Sequence, residues 1–397
     1  MEFAPTNTLQ KKRVFYMVKI AILGFGVVGT GVAEVLSENA EKIALSAAEQ
    51  VGLKYILDIR DFPDSPFADK FVRDFAVIEQ DPEVRVVVET IGGTGAAYDF
   101  TKRALRAGKS VVTSNKELVA THGYELMTLA KEQNVNYLFE ASVGGGIPII
   151  RPISQCLAAN EISEICGILN GTTNYMLTEM AVKGLPFDEA LRDAQALGYA
   201  EADPTADIEG DDACRKICIL GALSFGQHLY PDQVPTEGIT QITPEDIHYA
   251  AEQGCKIKLL GRAIRLEDGK VAAYVAPHLV STENLLAHVE GVCNAISVRG
   301  NAIGDVMFYG PGAGKLPTAS AVVADVIDCV KHLHASKYIA WGPGGPEASA
   351  DPAALVSRWY VRTPSDTFIT EPMSGPALAS KRGNWNAVAA FRILEHP

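Results

Sequence analysis

The amino-acid sequence predicts an α/β protein, in which a Rossmann-type doubly wound parallel sheet carries an inserted α+β domain and a short degenerate C-terminal tail. Short apolar, β-branched runs alternate with helical segments as far as residue 150, which is typical of a buried parallel sheet. Beyond that point the alternation breaks up, and a linker rich in Gly, Pro and Ala at 341–354 precedes the last part of the chain. We therefore expect the parallel-sheet domain over 17–150, completed by 307–335, the inserted domain over 151–306 and the tail over 341–397.

The composition is that of a soluble globular protein. Its 397 residues are 47% hydrophobic and 21% charged, which is enough chain for more than one domain. A net charge of −13 opposes non-specific binding to nucleic acid or anionic membranes, and no apolar run is long enough to cross a bilayer. The seven cysteines include no C-x-x-C pair, which argues against a disulfide framework or structural zinc and favours a reducing cytoplasm. Residues 1–16 are predicted to be a disordered lead-in.

The first predicted strand leads directly into a glycine-rich turn. An apolar, β-branched run at 17–23 is followed by Gly24-Phe-Gly26-Val-Val-Gly29 and then by a helical segment. Between strand and helix this spacing is typical of dinucleotide binding, because the glycines permit a tight turn, approach of a pyrophosphate and close helix packing. The alternative is a glycine turn that binds nothing. The predicted cofactor-binding residues of the turn are Gly24, Phe25, Gly26, Val27, Val28 and Gly29.

Residues at the ends of the next strands are candidates for the rest of a cofactor site. Asp58 would accept a hydrogen bond from the free 2′-hydroxyl of NAD, whereas Arg60 would bind the 2′-phosphate of NADP. We expect both cofactors to be used, with NADP favoured because an arginine binds phosphate through two hydrogen bonds. Thr90 lies near the end of the strand at 84–93, and Lys116 lies in the run at 110–120, just past a strand tip. A lysine there is either a surface residue or a catalytic one.

The densest charge cluster lies between Ala194 and Lys216. Six carboxylates precede the adjacent cations Arg215 and Lys216, and the apolar run that follows predicts a helix. Asp212 and Lys216 are four residues apart and should therefore share one face near the start of that helix. Such density favours a polar, cationic ligand, and the alternative is an exposed acidic turn before a buried helix. The six carboxylates belong to Glu201, Asp203, Asp207, Glu209, Asp211 and Asp212.

The order of residues in this stretch resembles the substrate-site signature of the homoserine dehydrogenases. TSNKELVA around Lys116 resembles the second site motif of that family, and the resemblance extends over roughly residues 17–330. It implies an NAD(P)-dependent oxidoreductase that interconverts L-homoserine and L-aspartate 4-semialdehyde and assembles as a homodimer or homotetramer. The signature residues are Ala194, Gly198, Asp203-Pro204, Asp207-Ile208-x-Gly210-x-Asp212 and Lys216.

The resemblance also implies how the charged residues act. Lys116 and Lys216 would handle the proton of the reacting oxygen and stabilise alkoxide charge. Each cation is expected to lower the pKa of the other toward the working range. Glu201, Asp207 and Asp212 would hold the substrate amino group or orient the lysines.

Glycine-rich segments outside the first turn are also candidates. The resemblance implies that Gly171 and Thr172 bind the substrate, although threonine hydroxyls there could instead cap the following helix. It also implies that Gly312 lies near the cofactor, in a glycine loop that leads to a long helix returning to the first domain. The Gly312-x-Gly314-Lys315 sequence does not meet the spacing of a phosphate-binding loop.

A third implied site is a monovalent cation, sodium, bound by Glu140 and by the main-chain carbonyls of Val143, Gly145 and Ile147. Alternate carbonyls converge only where the backbone bends tightly, and the Gly-Gly-Gly run at 144–146 permits that bend. The alternative is a hinge between domains.

Two other functions remain open. A phosphorylating semialdehyde dehydrogenase would need a thiol nucleophile, and Cys156 is the candidate, but no histidine lies nearby in the sequence to activate it. We interpret Cys156 as a core residue. The other alternative is an NAD(P)-sensing module without turnover.

The inserted domain is predicted as an antiparallel sheet backed by helices. The segment 164–180 should form a strand and then a helix from Thr172 or Thr173. A helix is expected over 242–254, and strands over 257–266, 270–280 and 291–300.

The tail resembles the start of an ACT regulatory domain, which many homoserine dehydrogenases carry. SRWYVRT at 357–363 is similar to its first strand, but the segment 363–385 lacks the apolar periodicity of the helix that should follow. Phe391-Arg-Ile-Leu predicts a final strand. We expect the fragment either to dock on the main body or to stay mobile. We also expect no threonine regulation through it, and an essentially unchanged kcat after removal of 345–397.

Overall fold

A computed structural model describes residues 16–335, 337 and 339–394. These residues form two sheets with helices packed against them. The predicted disordered lead-in lies outside the described residues, apart from Tyr16. Every helix in the described part of the chain is too short or too polar to span a lipid bilayer.

The first sheet contains six parallel strands. They are β1 (Met17–Leu23), β2 (Gln50–Leu57), β3 (Phe71–Val72), β4 (Val84–Glu89), β5 (Ser110–Thr113) and β6 (Tyr137–Leu138). The helices in this part of the chain are α1 (Val27–Glu38), α2 (Ala40–Ala47), α3 (Phe75–Gln80), α4 (Gly95–Arg106) and α5 (Lys116–Glu132). The strand order β3-β2-β1-β4-β5-β6 reverses between β1 and β4, where doubly wound sheets bind ligands. The predicted Rossmann-type fold is confirmed.

The second sheet contains eight strands. They are β7 (Ile162–Ile168), β8 (Cys255–Arg265), β9 (Val271–Ser281), β10 (Cys293–Gly300), β11 (Gly304–Pro311), β12 (Trp359–Arg362), β13 (Thr367–Ile369) and β14 (Ala389–Leu394). The helices are α6 (Gly171–Lys183), α7 (Phe187–Ala196), α8 (Thr205–Ile208), α9 (Asp211–Phe225), α10 (Pro244–Glu252), α11 (Lys315–Lys331) and α12 (Gly375–Trp385). The order is β11-β10-β7-β8-β9-β14-β12-β13, and all neighbours are antiparallel except β9 and β14.

The chain returns to the first sheet through α11. Val322 and Val326 of this helix are fully buried, in the same apolar cluster as Ile20 of β1 and Val32 of α1. Strand β11 before it was not predicted, because its glycine and proline residues are more typical of a loop. Since β11 pairs with β10 as far as Pro311, the return begins later in the chain than residue 307.

The tail docks on the main body, which is one of the two predicted outcomes. Strand β14 pairs in parallel with β9, and Tyr360 of β12 is fully buried with its hydroxyl 2.6 Å from Asp246 Oδ1. The predicted final strand is present as β14. The segment 363–385 contains α12 although it lacks the apolar periodicity expected of a helix, because α12 buries only Leu378.

Candidate active site

A cleft of about 760 Å³ brings together the glycine-rich turn, the starts of α5 and α6, the acidic stretch and the loop after β11. Its lining includes Val27, Val28, Lys116, Gly171, Thr172, Glu201, Asp207, Asp212, Lys216 and Gly312, all of which the sequence singled out. It also includes Ser114, Asn170, Tyr199 and Arg215, which were not predicted as site residues. The acidic cluster is divided, because Glu209 faces a separate cavity beside the tail.

Asp212 forms ion pairs with both lysines. Its Oδ1 lies 2.8 Å from Lys116 Nζ, and its Oδ2 lies 2.7 Å from Lys216 Nζ. Lys216 Nζ also donates to the carbonyl of Leu169 at 2.7 Å, so two of its three donors are held in place. Asp212 and Lys216 share one face of α9 as predicted. The 110–120 run is not one strand: β5 ends at Thr113, and Lys116 is the first residue of α5, where Asn115 Oδ1 accepts a hydrogen bond from the Leu118 N–H at 3.0 Å.

The pKa values of the two lysines move in opposite directions. Burial lowers the pKa of Lys216, and the charge of Lys116 adds to this effect while Asp212 opposes it. Burial also acts to lower the pKa of Lys116, but the attraction and hydrogen bond of Asp212 raise it overall. The predicted shift of Lys116 toward the working range is therefore wrong, because the attraction and hydrogen bond of Asp212 outweigh burial and the repulsion from neighbouring cations. Burial opposes the charge of Asp212, but Lys216 and then Lys116 hold its pKa well below the usual range.

Asn170 joins the start of α6 to the acidic stretch. Its Nδ2 donates to Asp207 Oδ1 at 2.7 Å and to Asp212 Oδ2 at 2.9 Å, while its Oδ1 accepts from the Thr173 N–H at 2.8 Å. Asn170 is therefore the N-cap of α6, and the alternative that threonine hydroxyls cap this helix was wrong. Thr172 instead donates its hydroxyl hydrogen to the carbonyl of Tyr199 at 2.6 Å.

Asp207 differs electrostatically from Asp212. Burial raises its pKa, and the negative charge of Asp212 adds to this effect. Glu201 lies at the exposed end of the cleft. The cleft thus holds one carboxylate committed to the lysines and further carboxylates available for a cationic group.

The glycine-rich turn is held against the end of β4. The single hydroxyl hydrogen of Thr90 is shared between the carbonyl oxygens of Gly24, 2.8 Å from Oγ1, and Leu23, 3.0 Å from Oγ1, so Thr90 holds the turn against β4. A Cβ at Gly29 would lie 2.0 Å from the carbonyl oxygen of Gly24, so only glycine fits where α1 meets the turn.

Asp58 and Arg60 bind each other. Asp58 Oδ1 accepts from the main-chain N–H and Nε of Arg60, and Oδ2 accepts from Arg60 Nη2 and from the main-chain N–H of Phe25 at 2.6 Å. These four bonds use the acceptor capacity of the carboxylate. Burial acts to raise the pKa of Asp58, but the Arg60 side-chain bond and the main-chain bonds lower it to about 2. The Arg60 side chain is 58% exposed and stacks over Phe62.

The predicted cation site has the expected bend. Gly144 and Gly145 have φ values of +75° and +55°, and the Ile147 N–H donates to the carbonyl of Gly144 at 2.8 Å. The Glu140 carboxylate accepts main-chain N–H bonds from residues 149, 150 and 151 at 2.6, 2.9 and 2.8 Å. Part of its acceptor capacity remains, and burial together with the charge of Glu140 raises the pKa of neighbouring Asp325 to about 7. No group of three or more His, Cys, Asp and Glu side chains among the described residues could hold a metal ion, so carbonyls would be needed.

Cys156 is exposed, and the interpretation of this residue as core was wrong. It ends a single π-helical turn at Pro152–Cys156, which places its side chain at the surface. None of the described residues that line the cleft is a cysteine. The thiol chemistry of a phosphorylating dehydrogenase therefore has no nucleophile there.

Comparisons with known proteins indicate the same family for both parts of the chain. The family model of homoserine dehydrogenase matches residues 148–327, and that of its NAD binding domain matches 24–140. The homoserine dehydrogenase of Pseudomonas aeruginosa is 46% identical over 317 residues, covering 80% of this chain and 73% of the relative. That of Lactococcus lactis is 39% identical over 403 residues, covering 96% and 92%.

Solved structures give the same result. The crystal structure of a homoserine dehydrogenase from Thiobacillus denitrificans has a TM-score of 0.86 and 34% identity, covering 96% of this chain and 99% of the other. A hyperthermophilic archaeal homoserine dehydrogenase in complex with NADPH has a TM-score of 0.67 and 30% identity, covering 79% and 97%. The chain belongs to the homoserine dehydrogenase family and is a nicotinamide-dependent oxidoreductase of aspartate-pathway amino-acid biosynthesis.

Proposed function

We propose that the lysine pair bridged by Asp212 is the catalytic centre for the interconversion of L-homoserine and L-aspartate 4-semialdehyde. The observation that carries this proposal is that one buried carboxylate contacts both ammonium groups in a cleft that is also lined by Val27 and Val28 of the glycine-rich turn. A bound nicotinamide supplies or accepts the hydride. The chain must then position the carbonyl or alcohol and move one proton at its oxygen.

The two lysines divide this task. Lys216 carries the proton, because its lowered pKa brings it closer to the working pH. In homoserine oxidation the neutral amine takes the hydroxyl proton as the hydride leaves the same carbon, and in reduction the ammonium returns it. Lys116 keeps its charge, because its pKa is raised, and stabilises negative charge on the oxygen. Asp212 holds both groups in place.

The amino-acid end of the substrate binds across the cleft. Glu201 and Asp207 line it without being paired with the lysines, and they suit an ammonium group. Gly171 and Thr172 begin α6, where free N–H groups and the positive end of the helix suit a carboxylate.

The cofactor side favours NADP over NAD. The turn from Gly24 to Gly29 binds the pyrophosphate in this proposal, with Thr90 behind it. Asp58 has little acceptor capacity left for a ribose hydroxyl, whereas the exposed guanidinium of Arg60 is held in a fixed direction. A fixed, half-exposed arginine suits the 2′-phosphate.

A monovalent cation, sodium, is proposed at Glu140 and the carbonyls of Val143, Gly145 and Ile147. The bend at 144–145 and the partly used carboxylate fit a singly charged ion with oxygen ligands. Such an ion would stiffen the segment that carries Gly145 to the cleft and to Gly312, whose carbonyl oxygen lies 2.5 Å from where a Cβ on Gly145 would be.

We also propose the roles of the two domains, the oligomeric state and the location of the protein. The first sheet with α11 is the dinucleotide-binding domain, and the second sheet is the substrate and dimerisation domain of a homodimer or homotetramer. Its edge strand β11 carries an exposed Tyr309, and uncovered edges of this kind favour pairing. All seven cysteines are free, which favours the cytoplasm.

Absorbance at the nicotinamide band tests the proposal directly. Protein, NADPH and L-aspartate 4-semialdehyde should consume NADPH without added phosphate. Consumption that requires phosphate would indicate a phosphorylating dehydrogenase, and binding of NADPH without consumption would indicate a sensor.

A further inference from the structure

Asn294 of β10 lies directly behind the proposed proton carrier. It is 1% exposed, and its Nδ2 donates to the carbonyl of Leu169 at 2.9 Å. The same carbonyl accepts from Lys216 Nζ at 2.7 Å. The two donors use both lone pairs of this oxygen. Asn294 therefore determines which lone pair of the Leu169 carbonyl remains for Lys216.

The other end of the amide is under an unusual constraint. Asn294 Oδ1 is buried and has no hydrogen-bond partner among the described residues. A Cβ at Gly312 would lie 2.1 Å from Asn294 Cγ, so the backbone of the glycine loop packs directly on the amide. A buried acceptor without a partner costs about 1–3 kcal/mol. Because this unpartnered oxygen lies beside the proposed reactive site, we infer that the hydrogen bond made by Nδ2 has a function.

We propose that Asn294 is a positioning residue for Lys216, acting through the carbonyl of Leu169 and locking that carbonyl against the cofactor loop at Gly312. By sharing the carbonyl, Asn294 weakens the hydrogen bond that the ammonium form of Lys216 makes to it. This favours the neutral amine. The inference rests on the proposed role of Lys216 and adds a residue that does not line the cleft.

The charges around Lys216 set the direction of the expected change. They are Asp212 and Arg215 on its own helix, Lys116 on α5 and Asp207 on α8. Asn294→Ala would leave Lys216 as the main donor to Leu169 and would raise the pKa of the lysine. Asn294→Asp would add a negative charge beside it and raise that pKa further.

The test measures the lysine and the reaction separately. Acetic anhydride labelling of Lys216, followed by mass spectrometry across pH, reports the pKa of the lysine without relying on turnover. The labelling midpoint should move to higher pH in Asn294→Ala and further in Asn294→Asp. The kcat for homoserine at fixed pH should fall on the order of tenfold, with the KM for NADP unchanged.

Asn174→Ala is the matched control. Asn174 is also 1% exposed, and its amide nitrogen shares its two hydrogens among three main-chain carbonyls, but its oxygen accepts from Lys258 outside the cleft. It should lose stability without moving the Lys216 midpoint. An unmoved midpoint in both Asn294 variants would overturn the proposal, as would failure of both to fold while Asn174→Ala folds, since the amide would then serve stability alone. A moved midpoint with an unchanged pH dependence of kcat would support Asn294 but exclude Lys216 as the proton carrier.

Discussion

The two sides of the cleft are built by different means. On the proposed substrate side the groups are buried charges, with Asp212 5% exposed and Lys216 8% exposed. On the proposed cofactor side the groups are the main chain of the glycine turn, whose Val27 and Val28 line the cleft, and Arg60 beyond that lining, with a side chain that is 58% exposed. Electrostatic interactions are stronger where water is excluded. Single side chains should therefore matter most on the substrate side, and the tail, which contributes no described residue to the cleft lining, should matter least.

The largest effect is expected for Lys216→Ala. Removing a group that moves a proton at the reacting oxygen should lower kcat by about two to four orders of magnitude. The Kd for NADPH, measured by fluorescence, should be nearly unchanged, because the lysine belongs to α9 and not to the glycine turn. Lys258→Ala is the control, since Lys258 is another buried lysine with a lowered pKa, about 8 through burial, but it lies outside the cleft. Near wild-type kcat in Lys216→Ala would remove the lysine from the mechanism.

Asp212→Asn should show how the negative charge of Asp212 affects the pKa of Lys216. The carboxylate raises the pKa of Lys216 against burial, so removing its charge should lower that pKa further. In homoserine oxidation kcat rises as Lys216 loses its proton, and this limb of the pH profile should therefore move to lower pH. Breaking a buried ion pair should also cost about 3 kcal/mol or more of unfolding free energy, measured by urea denaturation. A limb that moves to higher pH would contradict the assignment of the limb to Lys216.

Arg60→Ala should have an intermediate effect confined to one cofactor. A charged hydrogen bond is worth about 1.5–3 kcal/mol, so the KM for NADPH should rise roughly 10- to 100-fold while that for NADH stays near its original value. Asp58→Asn sharpens the comparison. It weakens the contacts that hold the Arg60 side chain in place, so it should also weaken the binding of NADPH. If Asp58→Asn weakened the binding of NADH alone, Asp58 would be the residue that binds the ribose hydroxyl. Equal losses for both cofactors in Arg60→Ala would mean that Arg60 does not contact the phosphate.

The same contrast explains what could be predicted from the sequence. The turn from Gly24 to Gly29 is a local pattern, and the strand before it and the helix after it predicted the first sheet. Asn170, by contrast, meets Asp207 across 37 positions of the chain, and no local pattern links the two. The raised pKa of Lys116 was missed for a related reason, since it depends on Asp212 lying nearer to it than the other cation. A signal for Asn170 did exist, because an asparagine before Gly-Thr-Thr is a common helix cap.

The smallest effect on turnover is expected from removing residues 345–397. None of the described cleft residues lies beyond Thr318, so kcat per folded molecule should be essentially unchanged. Stability should fall, because the deletion removes β12, β13 and β14 and uncovers the edge of β9. Burial of Tyr360 and Phe391 alone contributes about 1.5–3 kcal/mol each. The melting temperature should therefore drop by several degrees.

A threonine titration of the full-length and truncated proteins completes this test. The tail uses its strands to extend the second sheet, and Tyr360 and Arg362 both bind Asp246 of α10. We therefore expect threonine to leave the kcat of both proteins unchanged. Inhibition at low threonine that disappears on truncation would contradict this expectation. Residues of the cavity beside the tail, which Glu209 also lines, would then be substituted first. Arg382→Ala, on the exposed side of α12 and at the rim of that cavity, would test whether threonine binds there.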